Sequence, residues 1–134
     1  MTLILILSLF TLQLTPKEAT PVNTQKSTIA WEGGSATTTH NGLIGLKSGS
    51  LEISDGKLTG GTFEVDMTTI TNLDVSEAYR GKLENHLKSE DFFDAKAFPS
   101  AHLVIIKTTA ENENRYRIVA ELTIRNITKA IEFN

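Results

Sequence analysis

The sequence predicts a mainly β fold, an antiparallel sandwich or barrel with one α-helix inserted. Three observations carry this. Short runs of alternating apolar and polar residues succeed one another through most of the chain, separated by tight-turn residues. Tyr116, Ile118, Ala120, Leu122 and Ile124 form the longest such alternation, set against Arg117, Val119, Glu121, Thr123 and Arg125. Only one stretch, opening at Asp74, has convincing helical spacing.

The first fourteen residues, MTLILILSLFTLQL, are almost wholly apolar. A membrane-spanning helix needs about 20 apolar residues, so this run is too short to span. It fits the apolar region of a secretory signal peptide, although no Lys or Arg precedes it and no clean small-residue cleavage site follows. A buried strand is the other reading, but strands average about 5–6 residues. Residues 15–26 (TPKEATPVNTQK) read as a polar linker. The chain thus divides into a signal peptide and linker (1–25) and a folded domain (26–134).

Strand signals then follow in order. Ser27 to Trp31 alternates, and Gly33-Gly34 breaks the run. Thr37 to Thr39 favour strand through β-branching, and His40-Asn41-Gly42 carries a turn or bulge. Leu43 to Lys47 resumes, with Gly45 as a bulge or close backbone approach. Ser48-Gly49 reads as a turn. Leu51 and Ile53 alternate with Glu52, and Asp55-Gly56 before Leu58 is a strong hairpin signal. Lys57 to Thr69 is the clearest strand, with Phe63, Val65 and Met67 on one side and Thr62, Glu64 and Asp66 on the other. Gly60-Gly61 marks a bend within it.

The helix is expected to start at Asp74 as N-cap, with Glu77 completing a capping box. Val75, Ala78, Tyr79, Lys82, Leu83, His86 and Leu87 share one face. Gly81 costs about 1 kcal/mol relative to Ala. The helix ends before Ser89, and a compact loop follows with Phe92, Phe93 and Phe98, half of the six Phe in the protein. Pro99 forces Phe98 into extended geometry and launches the next strand. Ala101 to Thr108 is apolar on both faces and is expected to be covered on both. Glu111 to Asn114 is a polar turn, Asn126 is suited to a left-handed turn, and Ile127 to Phe133 starts a further strand. The count is about seven strands, with the helix between the fourth and the fifth.

Composition excludes several classes. The net charge is −3 with no basic stripe, which gives no reason to expect nucleic acid. The chain has no cysteine, so disulfides, thiolate metal sites and Cys nucleophiles are out. His40, His86 and His102 are scattered, without the convergent spacing of a metal site. Ser89 lies near His86, but no G-x-S-x-G elbow accompanies it. Glu90, Asp91 and Asp94 lack EF-hand spacing and read as turn and capping groups. Asn126-Ile127-Thr128 matches a glycosylation sequon, a pattern common by chance. No catalytic residue, metal or cofactor is assigned.

Two segments together, HLKSEDFFDAKAFPSA (86–101) and ELTIRNITKAIEF (121–133), closely resemble the YceI-like family, and SGSLEISDGKLTGGTFEVDM (48–67) fits its early strands. The resemblance covers roughly residues 27–134. It departs at Asn126, where Gly is usual, at Ala130, where Pro is usual, and at Lys26 before Ser27, where many members carry His. Members continue past this point with further strands, so a truncated, incompletely closed barrel is expected.

The resemblance implies a lipocalin-like antiparallel β-barrel with a long apolar interior. It implies an exported bacterial protein, periplasmic or secreted, that binds polyisoprenoids, quinone-like molecules or other long-chain amphiphiles, often as a homodimer. It implies no established catalysis. Pattern alone leaves open whether the apolar faces fill a core or line a cavity; the resemblance favours the cavity. Its expected lining is Phe63, Val65, Met67, Ile105, Ile118 and Leu122, with Phe92, Phe93 and Phe98 as a lid. His40, His86 and Arg125 are the expected headgroup contacts. The alternatives are a lipid-modifying enzyme on the same barrel, marked by a buried His beside a carboxylate, and a ligand-free, stress-related interaction domain, marked by a filled core.

Overall fold

The computed structural model describes residues 18–134; the signal-peptide reading of residues 1–14 lies outside them. Seven strands and one helix follow in the order β1 (Glu18–Pro21), β2 (Ile29–Gly34), β3 (Thr39–Ser54), β4 (Lys57–Asn72), α1 (Glu77–Lys88), β5 (Ser100–Asn112), β6 (Arg115–Ile124) and β7 (Ile127–Phe133). All pairings are antiparallel, in the order β1-β3-β4-β5-β6-β7, with β2 also on β3. The sheet is open, since among the described residues β7 pairs only with β6. No helix among them is long and apolar enough to cross a membrane.

The turns follow local chemistry. Asp55 (φ 50°) and Gly56 (φ 71°) occupy the β3–β4 turn, and Arg125 (φ 51°) and Asn126 (φ 60°) the β6–β7 turn. Two successive positive φ values are what a type I′ hairpin demands, and its twist matches that of the strands. The β3–β4 ladder slips register at Leu43/Gly45, Leu46/Ser48 and Glu52/Ile53. Such bulges bend a sheet and sharpen its twist.

Several expectations are corrected. Ser48-Gly49 is no turn: it lies inside β3, paired with Glu64 and Phe63 of β4, and Gly49 O accepts from the Val22 N–H just past β1 (2.9 Å). The stretch read as a linker supplies β1, whose Glu18–Pro21 pair with Ser50–Ile53. The β5 strand is covered on one face only, leaving Val104 38% and Ile106 57% exposed. The helix starts at Glu77 with Ser76 at its N-cap position, making no side-chain capping bond. Asp74 bonds elsewhere.

The core sits where α1 crosses one end of the sheet. Ile44, Met67, Ile70, Leu87, Ala95 and Ala101 are buried together, with Trp31, Val65, Leu83, Phe93 and Ile124 packed against them. Gly81, on the helix, has open space around it. Gly81→Ala is therefore expected to stabilise the fold by about 0.5–1 kcal/mol, read as a higher urea midpoint at unchanged slope.

Candidate functional site

The inner face is built by cross-strand rows. Gly49, Phe63, Leu103 and Leu122 align across β3 to β6, and Leu51, Gly61, Ile105 and Ala120 form the neighbouring row. A Cβ on Gly49 would meet the Phe63 ring at 2.8 Å, and one on Gly61 would meet Ile105 Cδ1 at 3.3 Å and Leu51 Cδ2 at 3.4 Å. These contacts put Phe63, Leu51 and Ile105 on the same face. The room beside Gly61 is thus taken by neighbouring side chains, and Ala120 is fully buried. Phe63, Leu103, Ile105, Ile118 and Leu122 are only half-buried.

The expected lining residues separate into groups. Phe63, Ile105, Ile118 and Leu122 face the open part of the sheet. Met67 is 5% exposed and belongs to the core, against which Val65 and Phe93 pack. Phe92 is exposed and lies edge-on to His86, ring centroids 4.9 Å apart. Phe98 lies under the Arg125 guanidinium at 5.9 Å. Arg125 itself donates to the carbonyls of Glu90 (3.0 Å) and Phe92 (2.7 Å), so it ties the aromatic loop to the β6–β7 turn. Leu46 and Leu51 were not among the expected residues. Reading residues 39–54 as one bulged strand would have placed them on this face.

The outer face is polar. A groove of about 340 Å³ there involves Ser48, Ser50, Thr62, Glu64, His102 and Val104, and Gly49, Phe63 and Leu103 also border it. Glu64 accepts from Lys47 Nζ (2.8 Å) and Ser100 Oγ (2.7 Å). The Lys47 ammonium, then the Ser100 hydroxyl, hold the Glu64 carboxyl below its ordinary value.

His40 and His86 meet in a different place. They line a groove of about 500 Å³ along the flank of α1, with Val75, Tyr79, Lys82 and Leu83. The apolar stripe of the helix is wider than the sheet covers: Leu83 and Leu87 pack on the core, while Tyr79 is left 66% exposed. His40 is fixed from behind by Asp74, whose Oδ2 lies 2.9 Å from Nδ1. Asp74 also accepts from Asn41 N–H (3.1 Å) and Asn72 Nδ2 (2.6 Å). The Asn41 N–H first, then His40, lower its pKa from 3.8 to about 2. A lowered folded-state pKa gives stability that is present above the unfolded value and lost as pH falls through the folded one. Thermal stability is therefore expected to fall between about pH 4 and 2, and less steeply in Asp74→Asn, as a melting series across that window would read.

Among the described residues no three His, Asp or Glu side chains are grouped to hold a metal. A family model described as the YceI-like domain matches residues 21–134. A search of curated proteins found no match. Among solved structures, the chain is similar to Burkholderia cenocepacia BcnA, with a TM-score of 0.68 at 18% identity, covering 83% of this chain and 67% of that one. It is also similar to a mutant CJ YCEI protein, with a TM-score of 0.50 at 15% identity, covering 96% of this chain and 59% of that one. The chain thus spans roughly three fifths to two thirds of the length of these structures.

Proposed function

The chain belongs to the YceI-like domain family, and from that premise we propose that it is a non-catalytic carrier holding a long apolar ligand along the inner face of its sheet. The ligand class is a polyisoprenoid, a quinone or a fatty-acyl amphiphile. The observation that carries the reading is the half-exposed apolar row Phe63–Leu103–Leu122. A domain that completes its own core packs such side chains to near-crystalline density. Here they retain open apolar surface beside a well-packed end.

Binding is by burial. Each CH₂ removed from water contributes about 0.8 kcal/mol, so affinity accumulates along a chain without a reacting group. Two carboxylate–imidazole pairs stand outside the apolar rows: Glu64 and His102 face each other across strands on the outer face, and His40 and Asp74, 2.9 Å apart, lie beside α1. An acid–base pair serving a lipid enzyme would stand among the apolar rows. Export to the periplasm or beyond goes with this reading, as does pairing into a homodimer.

Displacement of a fluorescent fatty acid by alkanols of increasing length tests the proposal. Affinity should rise about fourfold per added CH₂, from about 0.8 kcal/mol each. Affinity independent of chain length would sink it.

A further inference from the structure

We propose that the flank of α1 is a second binding site, separate from the inner face, for single-chain anionic amphiphiles. Val75, Tyr79 and Leu83 would take the first carbons, and His40, Lys82 and His86 the acidic head. The groove's volume, about 500 Å³, lies within the usual range for small-molecule sites, about 300–1,000 Å³.

The charge around it is selective. The protein carries a net −3, yet no carboxylate lines this groove, while three side chains able to carry positive charge do. The nearest acids are engaged elsewhere or stand off. Asp74 is behind His40, taking Nδ1 and leaving Nε2 as the ring's remaining hydrogen-bonding atom. Asp91 Oδ2 is 3.7 Å from His86 Nδ1, beyond hydrogen-bond length, and both side chains are largely exposed. Lys82 makes no ion pair among the described residues, and its ammonium is free to meet an anion.

The apolar floor is equally specific. Leu83 packs on the core and also lines the groove, so the floor is anchored. Tyr79 stands open, and Phe92, edge-on to His86, extends the apolar surface past the rim. An apolar floor rimmed by one ammonium and two imidazoles fits an alkyl chain ending in a carboxylate or phosphate. The sequence points to His40 and His86 as headgroup contacts; the structure pairs them here, on the helix flank.

Isothermal titration of the folded chain with dodecanoate, dodecyl phosphate, dodecanol, dodecyltrimethylammonium and inorganic phosphate tests this. Fatty-acyl chains also enter the inner face, so the two sites separate in Leu103→Asp, where that face no longer accepts a chain. In that variant both anionic amphiphiles are expected to bind at least tenfold more tightly than the alcohol or the cation, and inorganic phosphate not measurably; adding Lys82→Glu should weaken dodecanoate at least tenfold. Loss of dodecanoate binding in Leu103→Asp but not in Lys82→Glu would overturn the second site, since the chain would then lie on the inner face. Equal binding of the cation, or binding only to phosphatidylglycerol vesicles, would overturn it as well.

Discussion

Leu103→Asp is expected to lower affinity for a long apolar ligand by at least a hundredfold. Leu103 sits centrally on the inner face, between Phe63 on β4 and Leu122 on β6. Losing its burial against a chain costs about 1.5–3 kcal/mol. Desolvating a carboxylate among apolar neighbours adds several more. A hundredfold corresponds to about 2.7 kcal/mol, so the bound is conservative. Leu103→Ala, which removes the surface without adding charge, should cost about tenfold. The control is the next residue: Val104 lies on the opposite face of β5 and is 38% exposed. Because successive strand residues point to opposite faces, Val104→Asp should leave affinity within about twofold. Ligand titration of the three variants, each checked for native circular dichroism, reads the difference.

Asn72→Ala is expected to destabilise the fold by about 2–4 kcal/mol, a large effect for one side chain. Asn72 is 1% exposed and is the only buried polar or charged residue among those described. Its Nδ2 donates to Asn41 O (3.0 Å) and to Asp74 Oδ1 (2.6 Å), and its Oδ1 accepts from Val75 N–H (2.8 Å). Its own N–H is taken by Glu84 Oε1 of α1 at 2.8 Å. One residue thus joins β3, the end of β4 and the entry to the helix. Truncation leaves the Val75 N–H without its partner, worth about 1–3 kcal/mol when unmet in a buried site, opens a cavity, and strips one donor from Asn41 O and from Asp74, which keep the Leu73 and Asn41 N–H groups. Asn72→Asp should fare no better, since it sets a second carboxylate beside Asp74. Urea unfolding monitored by the Trp31 signal measures both.

Much of the fold could be read from local chemistry. Asp55-Gly56 and Asn126 announce their turns because positive φ restricts residue choice. Pro99 marks the start of β5, and the alternation of Tyr116 to Ile124 names the inward face of β6. What could not be read depends on pairing at a distance. The β1 segment, EATP, joins the sheet through its backbone and shows no alternation to betray it. Ser48 and Gly49 look like a turn, yet neighbours on both sides hold them extended. Asp74 looks like a helix cap, but His40 and Asn41, more than thirty residues away in sequence, claim its oxygens first. The stripe of α1 was plain, but its split between core and groove depends on how the sheet curves beneath it. The grouping of His40 with Lys82 and His86 has the same origin.

The most direct test of the carrier reading is native mass spectrometry of the folded protein purified from an exporting bacterial host, followed by organic extraction. The account predicts one long-chain apolar molecule per chain, an isoprenoid, quinone or acyl species, absent from Leu103→Asp. A folded protein that emerges empty, and stays empty when offered isoprenoids, quinones and fatty acids, would contradict it.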